Sequence, residues 1–246
     1  MLLRSITKHV NDQNWFAVAL DFFIVVVGIL IALQIANWND AHRDRSDQTA
    51  YLERLAGDLD LTITTNENNA KDARAAAART AGAVDMLEQC AVSVDAKDDF
   101  ASALYLAGRL NMPILVTDTI EELSGAGRGG LIDPELRAAL NDLLELQKRA
   151  DENRFSISTW TAPKVALITR SVRFRVSDNH PPSHPVSADE ATFDLAALCE
   201  DDAFINALAA LGEYARIIAM SNELRVTRLR DVRRMVFRRL TGGQQR

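Results

Sequence analysis

A chain of 246 residues with 48% hydrophobic residues and a net charge of −6 has room for one large domain and is not globally disordered. Its two cysteines, Cys90 and Cys199, exclude a zinc framework and a disulfide-rich small fold. Eight arginines stand against one acid, Asp231, between Arg225 and Arg246, so this end of the chain suits anionic surroundings.

The first element in the chain is a long apolar run behind a short tail, residues 1–14. From Phe22 to Ala36 only Gln34 is polar, and tryptophans stand on both sides at Trp15 and Trp38. A helix over 15–38 is about 36 Å long, enough for a hydrocarbon core of about 30 Å. Tryptophan at both ends is typical of the aromatic belts of a spanning helix. Residues 15–38 are therefore predicted to form a transmembrane helix.

Two other interpretations of this run fit less well. A cleaved signal peptide needs a pair of small residues at the cleavage site, but Gln34 stands two residues before Ala36. A buried core helix needs apolar surroundings on all sides, which no later segment offers. Lysine and arginine are nearly balanced across the run, so the short tail decides the orientation. We expect a cytoplasmic N-terminus and a periplasmic bulk of the chain.

One face of the predicted span carries small residues. Gly28, Ala32 and Ala36 repeat every four residues, a spacing that lets a second helix approach closely. Asp21 lies seven residues before Gly28, on the same face. It is either hydrated near the lipid head groups or turned toward a partner helix, because a carboxylate facing lipid is costly. We predict that these four residues contact a membrane-protein partner or a second copy of the chain.

Two stretches resemble a known family. "VVVGILIALQIANWND" (25–40) and "TIEELSGAGRGGLIDPELRAAL" (119–140) are similar to a widespread family of uncharacterised bacterial membrane proteins. That family has a GILIALQ-x-x-NWN-type transmembrane signature followed by a helical extramembrane domain. The resemblance implies this architecture and a bacterial membrane, and it implies no activity.

The long segment after the span has the periodicity of a coiled-coil or bundle helix. Its seam follows alternating steps of three and four residues: Leu52, Leu55, Leu59, Thr62, Asn66, Asn69, Ala73, Ala77, Thr80, Val84 and Leu87. The middle of this seam is polar or small, which predicts weak packing or a cavity there.

Further helices are predicted along the rest of the chain. Short ones cover Asp98–Leu110 and Thr119–Ser124. Asp133 and Pro134 form a strong helix start, and Pro163 should break or kink the helix that follows. After a loop at 177–189, a last helical region runs over 188–240. The expected fold is all-α: an elongated antiparallel helical bundle over 41–240 and a flexible tail over 241–246.

Catalytic and cofactor motifs are weak. Gly125, Gly127 and Gly130 match G-x-G-x-x-G, but no strand precedes them as a dinucleotide site requires. His180 and His184 lie four residues apart in a proline-rich loop, not on one helix face. We therefore expect no enzyme activity, no cofactor and no metal.

The basic end and the cysteines carry two further predictions. If the last helix returns to the membrane, Arg230, Arg233, Arg234, Arg238 and Arg239 contact anionic lipid beside residues 38–45; the alternative is a solvated face. Nucleic acid is an unlikely partner because aromatic residues are missing between the arginines. Cys90 and Cys199 fall at similar heights along the bundle. They either form a disulfide or remain free as small buried side chains.

Together these features predict a non-enzymatic accessory or scaffold subunit of a bacterial inner-membrane complex. The alternative is a periplasmic sensor-like bundle that binds a ligand and acts through a partner membrane protein.

Overall fold

The computed structural model describes residues 15–125, 130, 132–175 and 188–243. The α-helices of these residues are α1 (Trp15–Glu88), α2 (Lys97–Leu106), α3 (Asp118–Gly125), α4 (Pro134–Ser171), α5 (Leu195–Glu200) and α6 (Asp202–Gly243). The chain divides into two compact units, Met1–Ala50 and Tyr51–Arg246, and α1 contributes residues to both. The prediction of an all-α fold is confirmed.

The first unit exposes its apolar side chains. From residue 19 to residue 47 no described side chain is buried, and Phe22, Ile35 and Trp38 are among the most exposed. Helix α1 is long and apolar enough to cross a membrane, and 0% of its most apolar stretch is buried in the protein. A helix that is apolar all round and uncovered is suited to lipid or to a partner helix.

Helix α6 passes the same test of length and composition, but 44% of its most apolar stretch is buried. Its apolar residues form a stripe that packs into the second unit, so α6 is a core helix of that unit. The difference between the two helices lies in pattern: α1 is apolar on every face near its start, and α6 on one face only.

Two large apolar clusters and a smaller one hold the second unit together; the smaller one contains Ala73 of α1 and Ile218 and Ala219 of α6. The first core contains Tyr51, Leu52, Leu55, Ala56, Leu59, Leu115, Ile120, Leu123, Ile132, Leu136, Leu140, Leu143, Leu229, Val232 and Val236. The second core contains Ala83, Leu87, Phe100, Ala103, Leu104, Ala107, Ile168, Val172, Leu198, Phe204, Leu208 and Leu211. Most positions of the predicted seam on α1 are buried in these clusters or between them. The three- and four-residue periodicity of α1 therefore correctly predicted most of its buried side chains.

Two polar residues of the seam, Thr62 and Asn66, form hydrogen bonds with the backbone of the segment between α2 and α3. Asn66 is fully buried; its amide donates to the Ile114 carbonyl at 2.9 Å, and its oxygen accepts from the Ile114 amide at 3.0 Å. The Val116 amide donates to the Thr62 hydroxyl at 3.2 Å. These side chains satisfy backbone groups that would otherwise be buried without partners. The polar middle of the seam is a backbone clamp.

Helices α1 and α6 run antiparallel in the second unit, and surface ion pairs mark their register. Asp60 pairs with Arg233 at 2.8 Å, Glu67 pairs with Arg230, and Arg74 pairs with Glu223. Residue numbers rise along α1 as they fall along α6, which is the signature of antiparallel neighbours. We call these three pairs the charge ladder.

Helix α4 starts where the sequence predicts. The Asp133 carboxylate accepts a hydrogen bond from the Leu136 amide at 3.0 Å, and Pro134 takes the first helical position. A break at Pro163 does not occur, since α4 continues to Ser171. Val165 and Ile168 pack in the second core beyond the proline. Their burial offsets the lost backbone hydrogen bond and ring clash, which cost about 3 kcal/mol in a helix interior.

Helix α2 ends at Leu106, before its predicted end at Leu110. Gly108 takes a φ of +78°, and a Cβ there would lie 2.6 Å from Cγ2 of Val165. Only glycine tolerates that backbone at so close an approach, so the chain turns at this point.

The predicted last helix, 188–240, is interrupted. A 3-10 turn (Ala188–Glu190), strand β2 (Ala191–Thr192) and α5 precede α6. Strand β2 pairs antiparallel with β1 (Arg173–Phe174), a short hairpin-like contact that the sequence analysis missed. The Asp201 carboxylate then accepts from the Phe204 amide at 3.0 Å and starts α6. Helix α6 extends to Gly243, past the predicted start of the tail at residue 241; residues 244–246 lie outside the described residues.

Candidate functional site

A groove of about 640 Å³ opens between α4 and α6 in the second unit. Its walls are mainly apolar, and their large apolar and aromatic side chains include Leu146, Ile157, Trp160, Tyr214, Ile217 and Leu224; the charged residues Glu213, Arg225 and Arg228 also line it. The volume falls within the range of about 300–1,000 Å³ that is usual for small-molecule sites.

The positions of the two cores explain why the helices part at this place. Leu143 of α4 and Leu229 of α6 belong to the first core, and Ile168 and Leu208 belong to the second. Between these residues the facing positions include short side chains, Ala150 of α4 and Ala210 of α6. Short residues between two fixed contacts cannot fill the space. The groove is therefore a direct product of the sequence.

Large apolar side chains in the groove are exposed. Leu146 is 39% exposed, Trp160 46% and Leu224 61%. Contiguous exposed apolar surface of this kind marks a binding site more often than isolated apolar residues do. In the second unit the groove is thus a candidate for binding a partner or a ligand.

A buried arginine lies in the groove wall. Arg225 is only 6% exposed. Its guanidinium donates to the Leu146 carbonyl at 3.3 Å and to the Gln147 side-chain oxygen at 3.4 Å, both long distances. Among the described residues no carboxylate lies within ion-pair distance of it, although attraction to Asp151 favours its charged form. Burial lowers the pKa of Arg225, with Asp151 acting in the opposite direction.

This arrangement has a chemical consequence. A guanidinium carries five N–H donors and stays protonated in proteins, and a buried charge is costly unless a counter-charge and hydrogen bonds meet it. Two long hydrogen bonds to neutral oxygens satisfy Arg225 only in part. The groove therefore combines apolar walls with an incompletely satisfied cation.

Aromatic side chains form the other end of the groove. The rings of Trp160 and Tyr214 lie 6.0 Å apart, and the Tyr214 hydroxyl donates to the Met112 sulfur at 3.3 Å. Burial raises the pKa of Tyr214, so the hydroxyl is neutral at ordinary pH. The Lys164 ammonium sits 3.6 Å from the Trp160 ring centroid and donates to the Trp160 carbonyl at 2.9 Å. Trp160 is thus held on one side and open to the groove on the other.

The sequence pattern did not predict this site. Arg225 belongs to the basic end of the chain, but it also falls on the buried stripe of α6, at steps of three and four residues from Asn222 and Leu229. An arginine on an apolar stripe is the signal that could have revealed it. The gap between α4 and α6 itself had no comparable local signal.

The predicted contact residues of the span all lie in the first unit. Asp21, Gly28, Ala32 and Ala36 are exposed on α1. A Cβ added to Gly28 would meet no atom within 4 Å. Contact with a partner helix stays a prediction.

Four of the five arginines expected to meet lipid form ion pairs within the protein, and their contact with lipid stays a prediction. Arg230 and Arg233 belong to the charge ladder, and Arg234 pairs with Asp231. Arg239 pairs with Asp133, the cap of α4, and with Glu135 at 3.1 Å. Arg238 is exposed and has no ion pair among the described residues. Anionic lipid head groups would have to compete with these carboxylates for the guanidinium groups of the other four arginines. The predicted position beside residues 38–45 did not include such partners.

Cys90 and Cys199 form a disulfide in the structure, with their Cα atoms 5.5 Å apart. The bond joins the end of α1 to α5 beside the second core. Cys90 has a φ of +47°, which turns the chain out of α1.

The remaining motifs contribute little. Gly125 ends α3, while Gly127 lies outside the described residues, as do His180 and His184. The part of the chain that the structure describes contains no group of three or more histidine, cysteine, aspartate or glutamate side chains that could hold a metal.

Comparison with known proteins finds one similarity. Residues 21–78 match a family of unknown function (DUF6090), which covers the apolar run and the first part of the seam. The match does not reach residues 119–140, and it confirms neither of the two motifs behind the predicted resemblance. No curated protein and no solved structure matches the chain.

Proposed function

We propose that this protein is a membrane-anchored, non-enzymatic accessory or scaffold subunit of a bacterial inner-membrane complex. The observation that carries the proposal is the first unit's apolar helix, whose side chains are uncovered by the protein itself. Lipid can cover most of that surface. The small-residue face of Gly28, Ala32 and Ala36 is better suited to another helix, because close backbone approach adds dispersion contacts that lipid tails do not match.

Asp21 supports the same proposal. It stands on the same face as Gly28, two helical turns away. A carboxylate that faces a partner helix can receive a hydrogen bond there and avoids exposure to lipid tails. In this proposal the partner is a membrane protein or a second copy of the chain.

The proposed orientation places the second unit in the periplasm. The Cys90–Cys199 pairing supports it, because disulfides persist in oxidising compartments and are rare in the cytosol. The short N-terminal tail, which carries Arg4 and Lys8 ahead of the span, is compatible with a cytoplasmic start.

The test is purification of the full-length protein from native membranes in mild detergent, with mass spectrometry of what accompanies it. Gly28→Leu should reduce the yield of the partner, or of crosslinked copies, several-fold without changing the melting of the second unit. Leu30→Ile, on the opposite side of the helix, is the matched control and should leave association unchanged. Equal association in the Gly28→Leu and wild-type proteins would contradict the proposal.

A second function has its own support: a sensor-like bundle that binds a small molecule and acts through a partner membrane protein. The groove beside Arg225 favours it, since concave apolar sites with a few polar groups are the usual form of ligand sites. Its test is whether Ala150→Phe, which would fill the groove, abolishes the binding of apolar ligands to the full-length protein.

A further inference from the structure

We propose that the groove between α4 and α6 binds a single-chain aliphatic carboxylate, with the carboxylate on Arg225 and the hydrocarbon chain along the apolar walls. This inference rests on the second of the two functions, ligand binding, and names the ligand class. A fatty acid is the simplest member of that class.

The charge of the ligand's head group is inferred from Arg225, whose guanidinium has no paired counter-charge and few hydrogen-bond acceptors in the described part of the chain. The side chain is nine-tenths buried, has two long hydrogen bonds to neutral oxygens, and has no carboxylate within ion-pair distance among the described residues. A carboxylate accepts two parallel N–H bonds from a guanidinium and supplies the missing charge. A neutral head would leave the cation uncompensated, and a cationic head would be repelled.

The tail of the ligand follows from the walls. Leu146, Ile157, Ile217 and Leu224 offer apolar surface. Besides Arg225, the polar lining is Asn153, Glu213, Tyr214, Ser221 and Arg228, and Glu213 is already paired with Arg216 at 2.5 Å. A nucleotide or a sugar would bury many polar groups against such walls without hydrogen-bond partners, which is costly. An acyl chain needs no such partners.

The ends of the groove argue against a protein helix as the occupant. Helices α4 and α6 meet in the first core and again in the second core. From Leu146 to Trp160 the groove spans roughly 20 Å of α4 by helical rise. A partner helix lying in the groove would need open ends, whereas a flexible single chain fits between closed ones.

The experiment uses the full-length chain in nanodiscs of zwitterionic lipid, with Trp15→Phe and Trp38→Phe so that Trp160 is the only tryptophan left of three. Dodecanoate, dodecanol and dodecyltrimethylammonium are titrated while the Trp160 emission is followed. Dodecanoate should bind at least tenfold more tightly than dodecanol, and the cationic amphiphile more weakly than both. Arg225→Gln should remove the preference for dodecanoate, whereas Arg149→Gln, an exposed arginine outside the groove, should keep it.

Each outcome decides something. Equal affinity for dodecanoate and dodecanol would overturn the carboxylate assignment and leave ligand binding in place. Binding of none of the three would overturn both. A Trp160 response that survives Ala150→Phe would mean that the amphiphiles act from the lipid, which also overturns the proposal. If Arg225→Gln fails to fold, Arg225→Lys keeps the charge but loses the paired hydrogen bonds, and should reduce the preference for dodecanoate by several-fold.

Discussion

The first and second cores of the second unit are stabilised by different kinds of contact. The first core is largely aliphatic and joins three long helices, α1, α4 and α6, to the short helix α3. Arg239 of α6 is bound to Asp133 at the start of α4, and the Tyr51 hydroxyl of α1 donates to the Thr119 carbonyl of α3. Burial, the largest cause, raises the pKa of Tyr51 to about 12, so that hydroxyl stays a donor. Ion pairs and hydrogen bonds between helices therefore stabilise the first core in addition to its aliphatic packing.

The second core gathers short pieces. Helix α2 has 10 residues, α5 has 6, and each strand has 2. Phe100 contacts Phe193 with ring centroids 5.2 Å apart, and Tyr105 contacts Phe174 at 5.3 Å. Helices this short are not stable alone in water. The short helix α3 of the first core is held by aliphatic packing and a hydrogen bond from α1, whereas the short elements of the second core are held by aromatic packing and a disulfide.

The largest effect is expected from truncating the centre of the second core. Phe204→Ala removes a fully buried ring and should lower the free energy of unfolding by about 3–5 kcal/mol. Chemical denaturation of the full-length protein in detergent measures it. Phe155→Ala is the matched control, because Phe155 is 79% exposed and its loss should stay within about 0.5 kcal/mol. Similar losses in the two variants would mean that the second core is not organised around Phe204.

Loss of the disulfide should come next. Replacing Cys90 and Cys199 with alanine opens a loop with a sequence separation of 109 residues and should cost about 2–4 kcal/mol. Amide exchange should rise around Leu87, Phe100 and Leu198 before it rises around Leu55 and Leu140. Two thiols alkylated without reductant in protein from intact cells would show that the bond is absent there and would argue against a periplasmic location.

The clamp between the two cores should have an intermediate effect. Asn66→Ala leaves the amide and carbonyl of Ile114 buried without these partners and should cost about 1–3 kcal/mol. Asn68→Ala, two residues away and exposed, should have almost no effect on stability. If both variants unfold at the same denaturant concentration, the clamp contributes nothing to joining the cores.

Substitution of Asp133, which pairs with Arg239 beside the first core, should lower the free energy of unfolding the least. Asp133→Asn keeps an N-cap but removes the charge opposite Arg239, and should cost up to about 1 kcal/mol, because such half-exposed pairs are screened by solvent. Asp133→Ala removes the cap as well and should cost about 1 kcal/mol more. Equal stability of the two variants would show that the cap has no value here.

The same residue predicts a pH dependence. The hydrogen bond from Arg239 holds the pKa of Asp133 well below its usual range, against the effect of burial. A carboxylate with a lowered folded pKa stabilises the protein above its ordinary pKa, near 4, and this contribution is lost as the pH falls below that value. When the pH is lowered from 6, the free energy of unfolding should therefore fall less steeply in Asp133→Asn than in the wild-type protein.

Local and periodic features of the fold could be predicted from the sequence. The seam of α1 follows from its spacing, because side chains at steps of three and four residues share one face of a helix. The start at Asp133 follows from a cap whose partner, the Leu136 amide, is three residues away. Both depend on neighbours in the chain, so no knowledge of the tertiary contacts was needed.

Features that depend on tertiary contacts could not be predicted. The continuation of α4 through Pro163 depends on Ile168 reaching the second core. The groove depends on how α4 and α6 pack against each other, and its lining residues Leu146 and Leu224 are far apart in the sequence. Arg225 belongs to the basic end of the chain, and its position on the apolar stripe of α6 was the one local sign of its burial.

The charge ladder also restricts how α1 and α6 can slide past each other. Slipping by one heptad in one direction would bring Glu67 opposite Glu223, and slipping in the other direction would bring Arg74 opposite Arg230. Each native pair contributes little by itself, yet both shifted alignments place like charges together. Because leucine and alanine seams tolerate such shifts, the order of signs along the ladder selects a single alignment and encodes the direction in which the second helix must return.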